Sequence, residues 1–132
     1  MNPETFATRA EALVGAPFRL GGRDPASGLD CVGLIACALG GVDAPTGYGL
    51  RNSAIHRHLA FAKRAGFLPA GGLFARGDLT LAQPGAAQHH LLVALGPDRF
   101  VHAHAGLGRV VVLDGEIPWP VLRHWRFAEA GA

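Results

Sequence analysis

The sequence predicts an α+β fold, with helices in the N-terminal half packed on a small antiparallel sheet or partial barrel in the C-terminal half. Three observations carry that prediction. Apolar residues recur at helical spacing before residue 66; short runs rich in Leu, Val and Phe separated by turn residues follow from Leu79; and no repeat or low-complexity stretch interrupts this order. The 132 residues are 49% hydrophobic and 17% charged, with Gly (19) and Pro (9) spread along the whole length, which describes one folded domain over 1–132 rather than a disordered chain.

Each element has its own signal. Asn2, Pro3 and Glu4 read as an N-cap, a first-turn proline and a dipole-favoured acid, and Phe6, Ala10, Leu13 and Val14 then follow at helical spacing to Gly15. From Pro17 to Leu29 the chain is rich in Gly and Pro, after which Cys31 to Leu39 reads as a compact apolar helix closed by Gly40 and Gly41. A third helix is expected from a cap at Asn52 or Ser53 through Ile55, Leu59 and Ala62 to Gly66. Five strands are expected: Leu79 to Gln83, His90 to Leu95, Arg99 to His104, Arg109 to Leu113, and Val121 to Phe127.

Composition narrows the function. Twelve basic and ten acidic residues give a net charge of +2 with no cationic block, so nucleic acid is not an expected partner. The first residues carry neither a basic n-region nor an apolar h-region, and no apolar run approaches a membrane span of about 20 residues. The expectation is a chain made in the cytoplasm without a signal peptide and with no membrane partner. The two cysteines, six residues apart on one short helix, face different ways and are expected to be free thiols.

The chemistry centres on Cys31. A thiol attacks as thiolate, and the first turn of a helix offers the positive end of the macrodipole, so Cys31 is expected to have a lowered pKa. A thiol hydrolase also needs a base and a group that orients it, for which His89-His90 and His102-x-His104 are the available residues. If Gly96-Pro97-Asp98 form a three-residue loop, Leu95 pairs with Arg99, and His90 then shares a face with both His102 and His104 while His89 points to the other. An even-numbered loop would separate them. A zinc site built from Cys31, His90, His102 and His104 is the competing reading, and it lacks the tight ligand pairs that such sites show; no metal and no cofactor is expected. Cys37 reads as a small core residue. His56, His58 and His124 read as satisfied or exposed polar side chains, and Tyr48, Trp119 and Trp125 could line a cleft or fill the core.

The segment Gly15-Ala16-Pro17-Phe18-Arg19-Leu20-Gly21-Gly22, then Asp30-Cys31-Val32-Gly33-Leu34, resembles the nucleophile region of the NlpC-type papain-like cell-wall peptidases. The likeness continues with Gly77-Asp78-Leu79, with His90 to Gly96, and with Phe100-Val101-His102-Ala103. It implies Cys31 as nucleophile, His90 as general base and His102 as the residue that holds the imidazole. It also implies an oxyanion hole near the nucleophile, with the Cys31 backbone N–H as one donor. Asp30, Phe18 and Tyr48 are the substrate-binding candidates, with Asp30 near the free amino group of a peptidoglycan stem peptide, and the bond implied is that between D-glutamate and the diamino acid.

Three departures bear on substrate contacts: Val32 where Ser is frequent, Phe18 where Tyr is usual, and Leu20 where Trp is common. The ending with Trp119 and Trp125-Arg126-Phe127 is similar to a branch found in phage and gene-transfer-agent tails. That branch implies phage-like tail or baseplate partners, incorporation in a particle, and action in the periplasm or cell wall. The alternatives are a tail or wall-binding structural module on the same fold, and an amidase or acyltransferase using the same thiol.

Overall fold

A computed structural model describes residues 1–42, 44 and 56–128. Helix α1 (Pro3–Ala12) starts as its sequence dictates: the Asn2 side chain accepts from the Thr5 N–H at 2.8 Å, and Pro3 occupies the first turn. Phe6, Ala7 and Ala10 form its buried stripe. Helix α2 (Cys31–Ala38) is apolar nearly all round and lies in the core, while α3 (His56–Arg64) buries His58, Phe61 and Ala62. The expected caps Asn52 and Ser53, together with Ile55 and Tyr48, lie outside the described residues.

A two-residue ribbon, β1 (Arg23–Asp24) with β2 (Gly28–Leu29), lies in the loop before α2. The main sheet comprises β3 (Phe67–Pro69), β4 (Leu79–Ala82), β5 (His90–Gly96), β6 (Arg99–His104), β7 (Arg109–Asp114) and β8 (Val121–Phe127). Its order is β3-β8-β4-β5-β6-β7, antiparallel throughout, so it is an open sheet and not a closed barrel. All five strands expected from the sequence are present; β3 is added beside β8, a pairing that local sequence does not announce.

Alternation along the strands sorts side chains between two cores. Leu91, Val93, Val101, Ala103 and Val110 join α1 and α2 in the main core, where Phe6, Phe67 and Phe127 meet with ring centroids 4.2 to 5.4 Å apart. Leu92, Ala94 and Phe100 form a smaller cluster on the other side with Phe74, Ile117 and Trp119. Asp78, fully buried, ties that region together: Arg126 donates to both its oxygens, His124 lies 2.6 Å away, and the Ala75 N–H donates at 2.9 Å. His124 is thus a satisfied structural histidine.

The β5–β6 hairpin decides the site. Its loop is the two residues Pro97 and Asp98, not three, and Gly96 pairs with Arg99. An even loop alone would have turned His90 away from His102. A bulge at Leu95 adds the missing residue, so Ala94 still faces Phe100 and Val93 still faces Val101. The expected register therefore holds for a different reason.

Candidate active site

The site lies where β5 begins, β6 ends and α2 starts. Two devices deliver Cys31 there. The segment before it is stitched to the sheet edge, with Gly15 N–H donating to Val110 O, Val110 N–H to Ala16 O, and Phe18 N–H to Gly108 O, all within 2.9 Å. Asp30 then caps α2: one carboxylate oxygen accepts from the Gly33 N–H at 2.8 Å and from Arg23 at 3.1 Å, and the other accepts from the Gly21 N–H at 2.7 Å. Gly33 and Gly22 are required by contact rather than by turn geometry, since a Cβ at Gly33 would run into the carbonyl oxygen of Gly22, and one at Gly22 into that of Gly28.

Cys31, Asp30 and Phe18 line one cavity of about 260 Å³ with His90 and His102. Nε2 of His90 lies 2.8 Å from Nδ1 of His102, the geometry of a hydrogen bond between the two rings. Trp119 stands edge-on to both, with centroids 5.8 and 6.0 Å away. Cys31, His90 and His102 are thus brought to one place, as are two of the three substrate-binding candidates.

The electrostatics differ from the expected lowered thiol. Burial pushes Cys31 up to about 12, and the adjacent Asp30 charge adds to the rise; hydrogen bonds to the backbone of Leu91 and Val32 offset this only in part. The helix terminus gives limited help because two N–H groups of its first turn are already engaged: Gly33 donates to the Asp30 side chain and Leu34 to the Asp30 carbonyl. Burial likewise presses His90 down to about 3, with His102 and His104 contributing, and His102 to about 4. Both shifts favour the uncharged forms, the thiol of Cys31 and the imidazole of His90.

Two more histidines belong to the cavity wall than sequence reasoning placed there. His58 is buried and lines it from α3, and its neighbour His89 lines it as well, with ring centroids 6.5 Å apart. His89 was expected on the opposite face from His90; it lies just before β5, where strand alternation does not yet apply. His58 was expected as a satisfied or exposed polar side chain; it is buried, and only the long-range packing of α3 brings it here. Of the three departures, Phe18 and Leu20 line the cavity, whereas Val32 is buried in the core and faces no substrate. Cys37, half-buried, donates its S–H to the carbonyl of Arg23.

No family model and no curated protein matches the chain. Solved structures do. NlpC2 from Trichomonas vaginalis superposes with a TM-score of 0.65 at 19% identity over 95% of this chain and 46% of that one. The P60 domain of an antigen from M. avium subspecies paratuberculosis gives 0.60 at 22% identity, covering 95% of this chain and 93% of that one. The peptidoglycan hydrolase RipB from Mycobacterium tuberculosis gives 0.61 at 24% identity over 94% and 63%. The chain therefore has the papain-like NlpC/P60 fold, and it spans a little under half the length of the Trichomonas vaginalis proteins it matches.

Proposed function

We propose that this protein is a cysteine hydrolase that cleaves an amide bond in peptidoglycan stem peptides, between D-glutamate and the diamino acid. The observation that carries the reading is the His90–His102 hydrogen bond in the cavity that Cys31 also lines. With Nε2 of His90 tied to His102, Nδ1 is the nitrogen that serves the thiol. His90 accepts there only if its own proton sits on Nε2, so His90 donates to Nδ1 of His102 and His102 keeps its proton on Nε2.

As sulfur attacks the carbonyl, the thiol proton passes to His90, which gives it to the leaving amine. The thioester is then hydrolysed by a water whose proton His90 takes and returns to the sulfur. Because burial favours the uncharged form of both groups, proton transfer in this reading accompanies attack rather than preceding it. The Cys31 N–H is our candidate donor to the oxyanion, and Asp30 our candidate for the free amino group of the stem peptide.

The similarity of several solved neighbours to this fold supports the substrate class, since RipB is a peptidoglycan hydrolase by its description. A particle-borne setting, with phage-like tail proteins as partners and the cell wall as the place of action, rests on the sequence resemblance; detection of the protein in purified particles tests it. The catalytic proposal is tested by mass spectrometry of peptidoglycan and soluble stem peptides incubated with wild type and Cys31→Ala. New fragments ending at D-glutamate, formed by wild type alone, are expected. A folded wild-type protein that cuts nothing would favour a structural module on the same fold.

A further inference from the structure

Strand alternation puts His90 and His102 on the face of the sheet that the helices leave open. Leu91, Val93, Val101 and Ala103 point into the main core with α1 and α2; His90, in step with Leu92 and Ala94, and His102, in step with Phe100, point the other way. Among the described residues, the smaller cluster on that side holds no helix side chain. His102 is nevertheless only 3% exposed.

The connection between β7 and β8 supplies cover on this side. It is tied at both ends: the Gly115 N–H donates to the Asp98 carbonyl at 2.7 Å, in the β5–β6 loop, and the Gln83 N–H donates to the Pro120 carbonyl at 2.9 Å, just past β4. Between the ties, Ile117 and Trp119 pack against the smaller cluster, and of the two only Trp119 lines the cavity. Its indole meets both imidazoles nearly at right angles, with interplanar angles of 88° to His90 and 75° to His102.

We propose that Trp119 is a positioning residue: its indole, strapped over the open face of the sheet, keeps water off the His90–His102 hydrogen bond. Exposed to water, a bond between two uncharged rings is worth little net, because each ring can take a water molecule in place of the other. With water excluded, the two nitrogens have only each other, and the orientation of His90 is fixed. Burial is the largest cause that holds both imidazoles below their ordinary range, in keeping with a dry bond. That the fixed orientation serves catalysis rests on the thiol-hydrolase reading above.

The bonded proton on Nε2 of His90 is the probe, and it needs no substrate. Shielded from water, it exchanges slowly enough to give a ring N–H resonance by proton NMR at neutral pH, assigned by its absence in His90→Gln. The resonance is expected in wild type and in Trp119→Phe, which keeps a flat apolar cover, and is expected to be lost to water exchange in Trp119→Ala. Ile117→Ala, which thins the same cluster, should lower the melting temperature and keep the resonance. If Trp119→Ala does not fold, Trp119→Leu carries the same test, because Leu fills the cluster without spanning both rings. A resonance that survives in the Ala or Leu variant, vanishes equally in Ile117→Ala, or is missing from wild type overturns the proposal. The expected pattern in a protein that cleaves no stem peptide would keep the cover and remove the hydrolase reading; cleavage with an unshielded proton would do the reverse.

Discussion

Nε2 of His90 and Nδ1 of His102 approach to 2.8 Å across a hairpin whose two-residue loop would by itself have put them on opposite faces of the sheet. The Leu95 bulge restores the register, and Trp119 covers both rings. The bond is part-buried, directional and set in the cavity that the thiol also lines, which is what a base held in one tautomer requires.

Replacing His102 by Ala should therefore lower kcat by roughly a hundredfold, within the range for general-base function, while KM changes little. His102→Asn, which can still accept from Nε2–H, should recover part of the loss. Thermal unfolding of each variant separates this from a folding defect. Equal turnover in wild type and His102→Ala would remove His102 from the site.

The depressed histidines predict the pH behaviour. His90 and His102 titrate near 3 and 4 in the folded state against 6.5 unfolded, so between those values the unfolded chain binds more protons than the folded one. Stability should be full above pH 6.5 and decline as pH falls toward 3, with His58, lowered to about 4, contributing in the same direction. Cys31 acts at the other end: raised from 9.0 to about 12, it contributes stability below pH 9.0 that is lost as pH rises toward 12. Melting temperatures across the pH range check both arms. The rate of Cys31 alkylation in the free protein should keep rising past pH 9.0; a plateau near neutrality would show a thiolate already present at rest.

Gly33→Ala should destabilise the protein by about 1–3 kcal/mol, because the added methyl must displace the Gly22 carbonyl that packs against α2. The same displacement moves Gly21 and Arg23, which hold Asp30, so activity should fall by more than the loss of folded protein explains. Chemical denaturation paired with specific activity per folded molecule measures the two effects.

Asp78→Ala removes an acceptor shared by Arg126, His124 and the Ala75 N–H at a fully buried position. Arg126 is partly exposed and can regain water, so the loss should be about 2–3 kcal/mol rather than the larger value of a wholly buried pair. A lowered urea midpoint with an unchanged slope is the expected result; activity per folded molecule should stay near wild type, since Asp78 lies away from the cavity wall.

Much of the architecture was legible in the chain. Asn2 and Pro3 announce α1, the Pro17–Leu29 glycines announce a loop that delivers Cys31 to a helix start, and the five strand runs appear where stretches rich in Leu, Val and Phe between turn residues placed them. These signals are local: a cap, a breaker or a period-two pattern acts through neighbours a few residues away. Asp30 as a cap could be read in the same way, because Asp before an apolar helix satisfies its first N–H groups.

By itself, then, the sequence determined the order of the three helices and of β4 to β8, and the set of residues, Cys31, His90 and His102, from which a thiol hydrolase could be built. Only the tertiary structure decided how they meet. The Leu95 bulge sets the faces of His90 and His102, α3 brings His58 to the cavity, and packing of α2 against β5 raises the Cys31 thiol that a bare helix start would have lowered. The reason is physical: hairpin register, desolvation and the walls of a cavity depend on groups distant along the chain, and their balance exists only once the core has closed.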